Sequence, residues 1–133
     1  MNKYKGIELI DPIEREKQHI LTKALWQQLC KVGIKTGDKG RITCILVSKS
    51  FEMANELKSK YQGDWECNII KQDENSQYIV KVTTPLCYFS IEAFIELADI
   101  LMYAGLWSDS TFDGFEIDIE EVKKSNKPWW KLW

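Results

Sequence analysis

Histidine is nearly absent: His19 is the only one among 133 residues. One imidazole cannot supply the usual zinc sets unaided, so no metal centre is expected. No Gly-x-x-x-x-Gly-Lys loop and no Gly-x-Gly-x-x-Gly loop occurs. That removes the common phosphate cradles, and no cofactor is expected. No apolar run approaches about 18 residues, so no segment is expected to cross a membrane. The opening stretch, MNKYKGIELIDPIEREK, lacks an apolar region and a small-residue cleavage site. It does not read as a signal peptide, and the cytoplasm is the expected location. A charge excess is missing too, with a net charge of -2 among 29% charged residues. No basic field points to nucleic acid, and no acidic block forces disorder.

Four cysteines are present, Cys30, Cys44, Cys67 and Cys87, with no C-x-x-C spacing. Without an export signal they are expected to be reduced core thiols, none of them catalytic. His19 lies in a charged helical stretch, EREKQHI. It is expected to face solvent rather than pair with a thiol.

What is present suits one domain. Hydrophobic residues make up 44% of the chain, enough for one core. Asp11-Pro12 opens a long helix over residues 12–32, Asp as N-cap and Pro at the first position. Ile13, Ile20, Leu21, Ala24, Leu25, Leu29 and Val32 recur at helical intervals and are expected to face the core. Gly33 follows as the C-cap. RITCILVS, 41–48, reads as a central strand, apolar on both faces. Ser48 or Ser50 caps a second helix, with Phe51, Ala54, Leu57 and Tyr61 inward. WECNIIK and QYIVKVTT flank a polar loop and read as a hairpin. Ser90 caps a third helix, IEAFIELADILMYAG. FDGFEIDI, 112–119, then alternates apolar and acidic residues as a last strand at a sheet edge.

This order, strand-helix-strand-strand-helix-strand after a long helix, predicts a four-stranded antiparallel sheet with two helices on one face. The first helix packs outside that unit and is the expected cover for the aliphatic sheet face. The domain runs over 1–122. A tail, 123–133, carries lysines and Trp129, Trp130 and Trp133. An indole buries about 150–250 Å² when covered. The three rings are therefore expected to dock on the domain itself, on a protein partner or on a membrane surface.

Two stretches are similar to a known family. ILVSKSFEMANELKSKYQGDWECNII carries Ser48, Phe51 and Gly63 at a strand end, a helix start and the turn before the next strand. SIEAFIELADILMYAGLWSDSTFDGFEIDI runs from a helix into Asp113-Gly114-Phe115, where relatives have Asp-Gly-Trp. Over residues 12–120 the chain resembles the regulator of ribonuclease E activity B family. The resemblance implies a ferredoxin-like α+β fold. It also implies a non-catalytic protein that inhibits an RNA-degrading endonuclease.

Asp113, Glu116, Asp118 and Glu120, together with Trp129, Trp130 and Trp133, form the expected partner-binding set. Acids steer a basic partner and indoles hold it. The acids also have a plainer reading as edge protection. Asp109, Asp113, Glu116, Asp118, Glu120 and Glu121 do not match an EF-hand loop. An immunity-type protein that neutralises a toxin is the alternative within the same class. An RNA- or ligand-binding module is the other alternative, although Tyr78 is the only ring on the central strands and base stacking needs more.

Overall fold

The computed structural model describes residues 7–61, 63–72 and 77–126. Helix α1 spans Pro12–Lys31 and is followed by a short strand β1, Lys39–Gly40. The remaining elements are β2 (Thr43–Ser48), α2 (Phe51–Lys60), β3 (Glu66–Gln72), β4 (Gln77–Thr83), β5 (Cys87–Tyr88), α3 (Ile91–Trp107), β6 (Ser110–Glu116) and α4 (Ile119–Ser125). The helix starts follow from local chemistry. Asp11 accepts from the Ile13 amide at 3.0 Å, Ser50 from Met53 at 3.2 Å and Ser90 from Ala93 at 3.0 Å. Each side chain satisfies an amide that the helix leaves without a partner.

Four strands form one antiparallel sheet in the order β3-β4-β2-β6. The fold is thus α+β, with a long N-terminal helix. β1 and β5 form a separate two-stranded ribbon. Alternation decides which side of the main sheet is buried. Cys44, Leu46, Val80 and Val82 share one parity and are buried. Ala54 and Leu57 from α2, and Phe94, Ala98 and Leu101 from α3, pack into that same core. Phe94 meets Phe89 and Phe115 edge-on at 5.3 and 5.4 Å. Phe51, expected inward, is half exposed and leans on Tyr78.

β6 carries a bulge. Phe112 stands opposite Leu46 and Gly114 opposite Ile45, which leaves Asp113 as the extra residue. Gly114 has φ +117, a region that L side chains rarely adopt. Because of the bulge, Phe112 and Phe115 both turn inward and touch at 5.1 Å. Asp113-Gly114 therefore lies inside the last strand, not at its entry.

The expected strand over 112–119 ends early. Asp118 caps α4 by accepting from the Glu121 amide at 3.1 Å. Asp-x-x-Glu at the start, with Lys123 and Lys124 in the last turn, is a helix signature that the alternation concealed. Val122 is buried, and Asn126 holds Lys39 by two hydrogen bonds of 2.8 Å. α4 thus runs from 119 to 125, across the expected boundary between the domain (1–122) and the tail (123–133).

α1 packs on α3, not on the open side of the sheet, so the expected cover for the aliphatic face is corrected. Its expected inner stripe is corrected too. Gln18, Thr22 and Leu29 are buried, whereas Ile13, Ile20 and Leu21 are 79%, 60% and 53% exposed. The inward side of the helix is anchored by polar groups. Arg15 donates twice to Asp99 of α3, at 2.9 Å each, and His19 Nε2 lies 2.7 Å from the same carboxylate. Trp26 meets Phe94 with the rings tilted and their centroids 5.7 Å apart. No helix among the described residues is long and apolar enough to cross a membrane.

Candidate protein-binding surface

Residues of the second parity line the outer side of the sheet. Three rows cross it. Val47, Ile79 and Ile70 stand in register, then Ile45, Lys81 and Asn68, then Thr43, Thr83 and Glu66. The rows grade from aliphatic to polar. Among the described residues, α2 and α3 meet the sheet through its buried parity, so this side stays half exposed. Ile70, on the edge strand β3, is 45% exposed.

The polar end is organised by contacts between strands. The Thr43 and Thr83 hydroxyls lie 3.0 Å apart. Lys81 Nζ reaches Glu116 Oε2 at 3.0 Å, bridging β4 to β6 across β2. An open hollow of about 420 Å³ lies here, lined by Thr43, Asn68, Lys81, Thr83, Glu116, Ile117 and Asp118. Arg41, just before β2, pairs with Glu66 at 2.9 Å.

Glu116 and Asp118, from the expected acidic set, come together at this hollow. Glu120 does not join them on a strand, because it sits exposed in the first turn of α4. Asp118 also borders a second depression with Glu120 and Glu121, where Lys123 and Lys124 stand among the acids. Asp113 stands exposed in the bulge. Trp129, Trp130 and Trp133 lie outside the described residues.

The thiols are all free. Burial raises the Cys44 thiol far above its ordinary range and raises Cys67 and Cys87 as well. A thiol in that condition carries little thiolate, the nucleophilic form. Cys30 is exposed on α1, which departs from the expected core position. Among the described residues no group of three or more His, Cys, Asp or Glu could hold a metal ion.

His19 is also corrected. It is half buried and bound to Asp99, not solvent-facing. Burial opposes ionisation of Asp99, but the hydrogen bonds from Arg15 and His19 prevail and hold its carboxyl below the usual range. The signal was in the sequence: Asp99 is a lone acid within the apolar stretch LADILMYAG. A buried charge needs a partner.

No family model matches the chain, and no curated protein matches it.

Proposed function

We propose that this chain is a cytoplasmic, non-catalytic regulator that binds and inhibits a ribonuclease through the outer side of its sheet. One observation carries the reading: a four-stranded sheet with a side that no helix among the described residues covers, grading from Ile70, Ile79 and Val47 to the Lys81–Glu116 pair. An exposed aliphatic patch beside charged and polar groups is a composition that protein interfaces use. The exposed acids beside it, Asp118 and Glu120 with the Lys81-paired Glu116, are the groups that would steer a basic partner, and an RNA-processing enzyme offers one. A ferredoxin-like fold belongs to the same proposal. Counted along the chain, the order β3-β4-β2-β6 reads in reverse as 4-1-3-2, with α2 and α3 on one side. That order supports the likeness to the ribonuclease E inhibitor B family.

The test is cleavage of a short fluorescent RNA by purified ribonuclease E, with and without the chain. The wild-type chain slows cleavage. Ile70→Lys, an exposed site, keeps its melting temperature and loses inhibition about tenfold, the size of one lost apolar anchor. Unchanged cleavage with the wild-type chain sinks the reading. So does full inhibition by the Ile70→Lys variant. A salt-sensitive gel shift with RNA alone would move the surface to a nucleic-acid ligand.

A further inference from the structure

α1 carries apolar residues on two sides. Gln18, Thr22, Leu25, Trp26 and Leu29 face α3 and the core. On the other side, Ile13, Ile20 and Ala24 fall at spacings of seven and four, and Leu21 widens the patch. Three of these side chains are more than half exposed. Seven-and-four spacing is the seam of a helix pair. Large aliphatic side chains grouped on one helical face have a hydrophobic cost in water, and a second helix would remove it.

The flank of this seam is shaped as well. Glu16, His19, Ile20 and Lys23 stand at i, i+3, i+4 and i+7, and with Pro12 and Arg15 they surround one open hollow of about 300 Å³. Four residues at that spacing make the hole that accepts a side chain from a facing helix. The floor is held still. Arg15 and His19 are both tied to Asp99, so the hole does not depend on free rotamers.

We infer that the occupant of this face is α1 of a second copy of this chain, running antiparallel about a two-fold axis near Ile20. The argument is charge order. Along the hollow, Glu16 stands at one end and Lys23 at the other. Reversal about a two-fold places Glu16 against Lys23 of the second copy, and Lys23 against its Glu16. Both contacts are attractive, and Ile20 meets its own copy beside the axis. Parallel pairing sets each charge beside its own copy. A closed two-fold contact uses the same patch twice and leaves no sticky surface over. The pairing is independent of the outer side of the sheet, which stays available to another protein.

The full chain tests this by sedimentation equilibrium at low salt. The wild type associates to a dimer with rising concentration, and Ile20→Glu stays monomeric with an unchanged melting temperature. Glu16→Lys alone and Lys23→Glu alone each weaken association about tenfold, because each turns two attractive contacts repulsive. An equimolar mixture of those two variants recovers the wild-type affinity, since the mixed dimer pairs Lys with Glu at both ends. A wild-type chain that stays monomeric up to the millimolar range overturns the inference, and so does a mixture that associates no better than either variant alone. A dimer indifferent to Ile20→Glu overturns it too. Those outcomes would leave the face to a protein of different sequence.

Discussion

Leu46 and Ile45 are neighbours in β2 and both are aliphatic. Leu46 is wholly buried under α2 and α3, while Ile45 sits half exposed on the other side of the sheet. The same contrast recurs in α1, where Leu29 is buried and Ile20 is not. The two edges of the sheet differ as well. β6 has a bulge, and Gln18 of α1 reaches the Phe112 carbonyl at 3.5 Å. β3 is regular along its length, with Ile70 outward. Apolar character thus does not by itself name the core. One set of apolar residues builds the domain, and a second set is left facing outward.

The largest effect that separates the two sets is in β2. Leu46→Ala should cost about 3 kcal/mol in urea unfolding, the usual cost of truncating a buried leucine. Ile45→Ala should cost well under half of that. Equal losses would erase the distinction between the two sides.

The next effect tests what makes one side of α1 the inner one. Asp99→Asn should cost about 2 kcal/mol at neutral pH, since Arg15 and His19 lose a buried carboxylate. The sign with pH follows from the lowered Asp99 value. A depressed carboxyl stabilises above its unfolded value, about 3.9, and that contribution is lost as pH falls through the folded value. The gap between wild type and variant should therefore close in strong acid. A gap that persists at low pH would assign the role to packing alone.

The smallest effect concerns the edge. Gly114→Ala should cost about 1 kcal/mol, because φ +117 strains any L residue although a methyl group there meets no atom within 4 Å. A neutral substitution would show that the bulge tolerates a different backbone and does little to shape the β6 edge.

Much of the fold was legible because it is local. Asp11, Ser50 and Ser90 are caps, and a cap needs only its own first turn. The hairpin of β3 and β4 declared itself through two β-branched runs around a polar loop. The acidic residues were misplaced for a reason that is also local. Ile117 and Ile119 keep a strand rhythm, but Asp118, Glu121 and the lysines after them make a better helix start and end. Two signals competed over the same few residues, and capping prevailed. Of the candidate site, Glu116 and Asp118 meet at one hollow, yet Lys81 and the threonines that complete it come from other strands. Cross-strand register brought them there.

The sequence by itself determined which residues share a helical or strand face and where α1, α2 and α3 begin. Periodicity and capping are short-range, so a single segment contains them. Only the tertiary structure decided which of two apolar faces goes inside. In α1 that choice turned on Asp99, far away in sequence. A buried carboxylate must be paired, and Arg15 and His19 stand on the side of the helix that also carries Gln18, Thr22 and Trp26. Satisfying that charge turned Ile13, Ile20 and Leu21 outward.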